Sequence, residues 1–431
     1  MKKLLTIAVV VCALLASPYF IGQQIEKKVR DMYAQISDYP GYELEITEYH
    51  QGWFGSRTTA TFTMPIAEDG LGIDHLSFTL QQEIQHGPLL WKYNGLGFGL
   101  SDSSTQIKLD DDMLALLPAD LNIEDNRLQI LGHIGFDGSM QSILKLSPFS
   151  MVIDEVELEV NGAEFTSSVA MDGAMTFAGT WQGFTINEDL QTLVEMKQLN
   201  VSGVQQLIRG ELFSPTALTT GDFTVHITEF SVNGPTPDTA INIADLNITG
   251  DTKENDGLLH LEVLFNAQSI DAMAQKFNDF NYQITMKNLD IEVFQEVQRV
   301  MLELQELPEQ QQAMALMQLQ ALVPKLIAKA PEFNITQLGM NTKDGAVSSD
   351  LNIKFDQSIY DANDPMSMIF AVDANAQGYA PQAFLESIGM AMDVEGMLDQ
   401  NILVKDNDNV SFNFTFKNGQ ALLNGMPIPL G

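Results

Sequence analysis

Alternation of apolar and polar residues, repeated along most of the chain, constrains the fold more than any other feature. Side chains of a strand point alternately to its two faces, so this pattern predicts strands with one face toward a core and the other toward water. The clearest runs lie at residues 44–46, 78–80, 156–160, 241–243, 259–265, 351–355 and 410–416. The chain is therefore expected to consist mainly of strands.

Asn-Gly and Asp-Gly dipeptides separate many of these runs. Both dipeptides supply the positive φ that tight hairpin turns require. They begin at Asp69, Asn94, Asp137, Asn161, Asp172, Asn233, Asp256, Asp344, Asn418 and Asn424. Ten such turn signals among short alternating runs predict antiparallel meanders.

Residues 290–330 have helical rather than alternating spacing. Apolar residues recur every three or four positions on both sides of Leu307-Pro308, which predicts a helical hairpin with a kink at Pro324. Shorter helices are expected at 188–198, 271–277 and 381–392. The predicted fold class is α+β, strand-dominated, with antiparallel β meander sheets. Two interpretations of the Gln- and Met-rich hairpin stay open: an ordinary core-facing stripe, or a face that contacts a partner or lipid.

Lys2 and Lys3 precede a nearly unbroken apolar stretch at residues 4–22. A hydrocarbon core is crossed by about 20 helical residues, so the stretch is long enough for one transmembrane helix. The anchor residues are taken to include Leu4, Ile7, Val10, Leu14 and Phe20. We predict an uncleaved signal anchor over residues 1–24, because residues 14–16 lack the small-residue pattern of a cleavage site. A cleaved signal peptide is the alternative.

The anchor sets the expected domain organisation. Apolar and charged residues share residues 25–37 at helical spacing, which predicts an amphipathic stalk helix. Residues 38–431 then form a β-rich domain that includes the helical hairpin. If Lys2 and Lys3 stay in the cytoplasm, single-pass insertion in the inner membrane leaves this domain in the periplasm.

Acidic residues dominate the charge: 57 Asp and Glu against 22 Lys and Arg, a formal net charge of −35. We expect no nucleic-acid partner, because phosphate binding depends on basic patches. The single cysteine, Cys12, excludes a disulfide within one chain and a thiolate metal site.

No catalytic or ligand-binding motif stands out. The six histidines are far apart, and none forms a His-x-x-x-His pair. Residues 406–409 resemble the start of a calcium loop, but Val410 and Ser411 stand where a ligand and a glycine are needed, so a turn is expected. We predict no catalytic residue, no metal ligand and no cofactor, and therefore no enzyme. The alternative is a hydrolase that uses paired carboxylates.

Three short motifs carry a family resemblance. They are Tyr49-His50-Gln51-Gly52-Trp53-Phe54-Gly55-Ser56, His86-Gly87-Pro88, and a C-terminal segment with Asn418-Gly419 and Asn424-Gly425. In this order, after an N-terminal anchor, the chain resembles the YdgA-like family of Gram-negative envelope proteins. The resemblance implies an inner-membrane anchor, a periplasmic domain and no assigned reaction. On physical grounds the glycines and proline of the first two motifs are structural corners, and a binding surface is the alternative.

The expected function is a non-enzymatic binding, assembly or structural factor of the bacterial envelope. Its sharper form is a sheet whose apolar face holds lipid or a hydrophobic polypeptide, and an exposed apolar groove would support it. Self-association through the helical hairpin or the sheet edges, as a homo-oligomer such as a homodimer, is a further hypothesis. A pocket with two acidic groups of raised pKa would instead support the hydrolase.

Overall fold

The computed structural model describes residues 2–428 apart from 66–74, 94, 111–126, 154, 190, 235, 237–238, 273, 362–363 and 365. Within this part antiparallel strands predominate, in agreement with the predicted α+β class. Two compact units are present. The first unit comprises residues 1–184 and 201–219, and the second unit comprises residues 185–200 and 220–431.

Strands and tight turns alternate along the described chain. Up to residue 188 the strands are β1 (Glu43–Gln51), β2 (Gly55–Pro65), β3 (His75–His86), β4 (Leu89–Leu90), β5 (Gly97–Phe98), β6 (Ser101–Leu109), β7 (Leu128–Ile134), β8 (Met140–Leu146), β9 (Phe149–Ile153), β10 (Val156–Val160), β11 (Ala163–Val169), β12 (Ala174–Trp181) and β13 (Phe184–Glu188). Those that follow are β14 (Gln191–Met196), β15 (Leu199–Arg209), β16 (Leu218–Val232), β17 (Ile241–Asn255), β18 (Leu258–Ala272), β19 (Gln275–Asp290), β20 (Glu332–Thr342), β21 (Gly345–Phe355), β22 (Val372–Pro381), β23 (Val404–Asp406), β24 (Asn409–Lys417), β25 (Gln420–Leu423) and β26 (Met426–Ile428).

Several turns form as their dipeptides predict. Asp256-Gly257, Asn418-Gly419 and Asn424-Gly425 have positive φ at both residues. The turn expected in residues 406–409 joins β23 to β24, with Asn407 at φ 53°. The predicted turns at Asp69 and Asn94 lie outside the described residues.

Helices are fewer than strands. In the described residues they are α1 (Lys2–Ser37), α2 (Ile291–Glu306), α3 (Glu309–Ile327), α4 (Ser367–Ala371), α5 (Gln382–Ser387) and α6 (Ala391–Asp399). The helices α2 and α3 form the hairpin predicted at 290–330, and Pro324 lies inside α3. At 381–392, α5 and α6 are separate, because Gly389 follows the end of α5 with a φ of 88°.

Two of the shorter predicted helices are wrong. Residues 188–198 contain β14, in which Val194 pairs with Val232 of β16. Residues 271–277 span the end of β18 and the start of β19. In both segments, pairing with long neighbouring strands outweighs a helical spacing that involves only a few apolar residues.

The sheet of the first unit has the strand order β1–β2–β3–β6–β7–β8–β11–β12. One face of α1 packs against its first three strands. The buried core between helix and sheet comprises Ile25, Val29, Tyr33, Leu44, Ala60 and Ile84. The three helix residues recur every four positions, so they lie on one face. Burial raises the pKa of Tyr33 to about 12.

The sheet of the second unit has the strand order β14–β16–β17–β18–β19–β20–β21–β22–β24–β25–β26. The α2–α3 hairpin connects β19 to β20. Asp290 caps α2, because its Oδ1 accepts from the amides of Glu292 and Val293, each at 3.1 Å. The two helices bury Val300, Ala315 and Leu322 between them, so one stripe of the hairpin does face a core.

Among the described residues, no helix has both the length and the apolar character needed to cross a membrane. The helix α1 begins at Lys2, but the side chains of Leu4, Ile7, Val10 and Leu14 lie outside the described part. Phe20 is described, and its side chain is exposed. The transmembrane segment, its orientation and the inner-membrane location stay predictions.

Candidate functional site

The first two motifs meet at one end of the sheet of the first unit. The start of β2 lies beside the end of β3, where Gly55 pairs with Gln85. The His86 amide donates to the Phe54 carbonyl at 2.9 Å, and Ser56 Oγ lies 2.9 Å from His86 Nε2. Strand register thus brings together two motifs that are separated in the sequence.

His86 is the buried centre of this end. Its side chain is 1% exposed and faces α1 at Gly22, where a Cβ atom would lie 2.3 Å from His86 Cε1. Burial lowers the pKa of His86, and the backbone carbonyls of Trp53 and Pro18 oppose part of that shift. Burial between the helix and the sheet therefore favours the neutral form of the ring.

Two further hydrogen bonds tie α1 to the first motif. Gln51 Nε2 donates to the Tyr19 carbonyl at 3.0 Å. Trp53 Nε1 donates to the Leu15 carbonyl at 2.7 Å, and the Trp53 and Tyr19 rings lie 5.4 Å apart. The first motif therefore holds the helix against the sheet, which the sequence pattern alone did not indicate.

The stability of the first unit is expected to fall as the pH drops below about 6.5. Because the folded-state pKa of His86 is below its ordinary value, the unfolded chain binds more protons in this window, and protonation favours unfolding. Hydrogen exchange of residues 15–37, corrected for intrinsic rates, should therefore show easier opening at about pH 5 than at neutral pH.

The His86→Gln variant should flatten this pH dependence, whatever its own stability. His50→Gln is the matched control, because the His50 side chain is 78% exposed. Equal pH dependence in the wild type and the His86→Gln variant would contradict the assignment.

A second buried polar group lies on the opposite face of the same strands. Asp102 is 2% exposed, and its Oδ1 lies 2.7 Å from His133 Nδ1. Beside it, Gln85 Oε1 accepts from the amides of Trp91 and Lys92 at 3.1 and 2.9 Å. The sequence pattern does not predict this group, because the β3–β6–β7 register alone brings these residues together.

A shallow cleft of about 420 Å³ opens beside the first motif. Arg57 and Lys92 line it, and both pair with Glu83. Hydrogen bonding from Lys92 holds the pKa of that carboxyl below its usual range. A carboxylate-dependent hydrolase needs two acids, one of raised pKa. Two other clefts of the described residues each have a single acid in their lining, Asp172 or Asp350. These clefts give the hydrolase hypothesis no support.

The third motif belongs to the second unit and forms two hairpin turns. Asn418-Gly419 joins β24 to β25, and Asn424-Gly425 joins β25 to β26. The Asn424 side chain donates to the carbonyls of Asn401 and Ile402 at 2.9 and 3.1 Å, and accepts from the Asn413 amide at 2.8 Å. These contacts tie the turn to β24 and to the segment that precedes β23.

The sheet of the second unit has one apolar face. Register partners form rows across it, and the central row is Phe223, Gly250, Val263, Ile284, Ile335, Leu351, Ala376, Phe414 and Leu423. The adjacent row on the same face is Leu261, Met286, Phe333, Ile353, Ala374, Phe416, Ala421 and Ile428. Neither row contains a charged residue, so a broad surface offers apolar contacts alone.

The opposite face of this sheet is polar. The residues that alternate along the strands with the two apolar rows point to this polar face. They are Asp222, Asp251, Glu262, Thr285, Asn334, Asn352, Asn375 and Thr415. Asn334 Nδ2 donates to Thr285 Oγ1 at 3.2 Å, and Asn334 Oδ1 accepts from Asn352. A sheet that alternates in this way ordinarily buries its apolar face under a second layer.

No such layer covers the two apolar rows in the described part of the second unit. Their buried members are the small residues Gly250, Ala374 and Ala421. The large aliphatic and aromatic side chains stay partly exposed, and Met286 is 37% exposed. A covered face would contain large side chains that are fully buried. We call these two rows the open face.

Helices lie at both ends of the open face. At one end Phe384 of α5, 4% exposed, packs against Phe277 and Ala380. At the other end the α2–α3 hairpin leaves β19 at Asp290 and returns to β20 at Glu332. The open face lies between α5 and the α2–α3 hairpin.

The helical hairpin also has an exposed apolar face. Met314 and Met317 of α3 are 70% and 68% exposed, and Met301 of α2 is exposed as well. Both interpretations of the hairpin therefore keep support, since one stripe faces a core and another is free to contact a partner. Self-association through this surface stays a prediction.

One protein family matches the chain over its whole length. Residues 1–431 match a family described as bacterial protein of unknown function, DUF945. The chain belongs to the DUF945 family. Membership of DUF945 extends over both units and all three motifs, but the family description names no reaction. The YdgA-like resemblance and the anchor that it implies stay predictions. No curated protein and no solved structure matches this DUF945 chain.

In the part of the chain that the structure describes, no group of three or more acidic, histidine or cysteine side chains could hold a metal ion.

Proposed function

We propose that this DUF945 protein is anchored in the inner membrane by its N-terminal helix and holds a lipid acyl chain on the open face of its second unit, in the periplasm. One observation carries the proposal: two uncharged rows span the sheet without a second layer. Apolar surface left in water costs roughly 25 cal/mol per Å², so an occupant that covers the open face is favoured.

An acyl chain suits this face better than an extended polypeptide. The backbone groups of the strands are already paired in the sheet ladders, and the two rows offer almost no side-chain donors or acceptors. An extended peptide would bury N–H and C=O groups without partners, at about 1–3 kcal/mol each. A hydrocarbon chain has no such groups.

The anchor would keep the protein at the source of such a ligand. The apolar stretch at residues 4–22 is the proposed anchor. Because Leu15, Tyr19 and Gly22 contact the first unit, residues 4–14 are the part that enters the bilayer, and Lys2 and Lys3 favour a cytoplasmic N-terminus. The role that follows is that of a tethered binding protein of the envelope, with no catalytic step and no cofactor.

Binding of cis-parinaric acid, a fatty acid that fluoresces in apolar sites, tests the proposal. The full chain in lipid nanodiscs should give a saturable signal above that of empty nanodiscs. The double variant Val263→Asn/Ile284→Asn should bind at least about tenfold more weakly, a loss of roughly 1.4 kcal/mol. These two residues are register partners on the open face.

Leu264→Asn is the matched control, because Leu264 follows Val263 on β18 and points to the opposite face. It should bind the probe as the wild type does. A signal that is absent in the wild type, or that falls equally in the control and the double variant, would overturn the proposal.

A further inference from the structure

Exposed apolar side chains crowd one end of the first unit. They lie on the connections from β1 to β2, from β3 to β6 and from β7 to β8. Register places all three connections at the same end, because Ser101 pairs with both His86 and Ile134, which are the last residues of β3 and β7. We call this the aromatic end, and it comprises Trp53, Phe54, Trp91, Leu96, Phe98 and Phe136, each more than half exposed.

The structure beneath holds these side chains outward. Leu90 is fully buried, and the amide of the next residue, Trp91, is fixed by Gln85, yet the Trp91 side chain is 55% exposed. Trp53 is held by its bond to the Leu15 carbonyl and is also exposed. Large aromatic side chains that are fixed in water are costly, so this end is built to meet a partner.

The chemistry of the aromatic end fits the lipid headgroup region. Two of the three tryptophans of the chain lie there. Tryptophan combines an apolar ring with an N–H donor and is enriched at the boundary between headgroups and hydrocarbon. Arg57 and Lys92, at the same end, pair with Glu83. Their two positive charges keep this end less acidic than a chain of net charge −35 is on average, which reduces repulsion by anionic lipid.

The course of α1 identifies the partner. Ser37, the last residue of α1, accepts through Oγ from the Leu44 amide near the start of β1. Leu15 contacts the connection that follows β1, so α1 runs along the sheet and reaches the aromatic end. Residues 4–14, apolar except for Thr6, precede Leu15 in the same helix. The apolar part of the chain therefore joins the first unit at the end where the aromatic side chains are exposed.

We propose that the aromatic end lies in the headgroup region of the bilayer that α1 enters. The inference rests on the membrane anchor of the proposed function and is independent of acyl binding by the second unit. The first unit is then docked on the membrane through three connections as well as through its helix.

Quenching of tryptophan emission by brominated phospholipid tests the inference on the full chain in vesicles. The Trp181→Phe variant keeps Trp53 and Trp91 as reporters. It should lose most of its emission with bromines near the headgroup, and less with bromines near the chain ends, because interfacial rings lie at shallow depth.

The variant Trp53→Phe/Trp91→Phe is the matched control, since it keeps only Trp181. Met175 of β12 pairs with Val169 of β11, which pairs with Met140 of β8, so Met175 lies at the same end of the sheet as the aromatic end. Trp181 lies six residues further along β12. Six strand residues span roughly 20 Å, so its emission should be unaffected by either lipid.

Flotation of the vesicles reports the anchor separately. A chain that floats with vesicles but whose Trp53 and Trp91 emission is as insensitive as that of Trp181 would overturn this inference and leave the anchor standing. A chain that does not float with vesicles would overturn both. Neither outcome bears on parinaric acid binding by the second unit.

Discussion

Replacing Gly22 by alanine should weaken the attachment of α1 to the first unit by about 2 kcal/mol. The new Cβ would lie 2.3 Å from His86 Cε1 and 2.7 Å from His86 Nδ1, and His86 cannot swing away because it is buried and bonded to Ser56. Overpacking of a closed site is the physical cause. Hydrogen-exchange protection of residues 15–37 should fall by about thirtyfold, the equivalent of that free energy.

The same substitution in another helix is the control. Gly396 lies inside α6, and a Cβ atom there would meet nothing within 4 Å. Alanine should stabilise that helix by up to about 1 kcal/mol, because glycine is the poorer helix former. Unchanged protection of α1 in the Gly22→Ala variant would show that the helix does not pack on His86 as described.

Two valines of the second unit should respond very differently to the change to asparagine. Val410 of β24 is 2% exposed and pairs with Ala380 at the end of the apolar surface that α5 covers. Val263 of β18 lies on the open face and is only partly buried. Val410→Asn buries an amide without partners and removes packed methyl groups, so we expect a loss of about 3 kcal/mol. Val263→Asn should cost less than about 1 kcal/mol.

Chemical denaturation of the full chain in nanodiscs, monitored by hydrogen exchange of peptides from the second unit, measures the stability lost in both variants on one scale. The comparison is matched, since both residues are strand valines of the same sheet. If Val263→Asn were as damaging as Val410→Asn, a second layer would have to cover the open face, and the proposed binding surface would not exist.

Much of the fold follows from local patterns. Alternating runs and Asn-Gly or Asp-Gly turns predict antiparallel meanders, and the two longest runs, at residues 259–265 and 410–416, lie in β18 and β24. The helical hairpin is equally visible, because its apolar period persists for more than thirty residues. The helix predicted at 188–198 is wrong, because a few apolar positions fit either period and pairing with β16 favours a strand.

The candidate sites could not be predicted in the same way. The open face depends on register across nine strands, and register is a property of all the ladders together rather than of any one segment. The contact between Gly22 and His86 joins a helix to a strand that follows more than fifty residues later, with no spacing signal between them. The glycines and proline of the first two motifs are predicted to be structural corners, and the structure adds that the neighbouring Trp53 side chain is exposed.

A photo-crosslinking amino acid placed at position 263 or at position 264 of the full chain in living cells tests directly whether the open face holds lipid. Adjacent positions on β18 share their local environment but point to opposite faces of the sheet. If the open face holds lipid, irradiation should yield a phospholipid adduct at position 263 and none at position 264. Equal labelling at both positions, or a protein adduct alone at position 263, would show that lipid is not held on the open face.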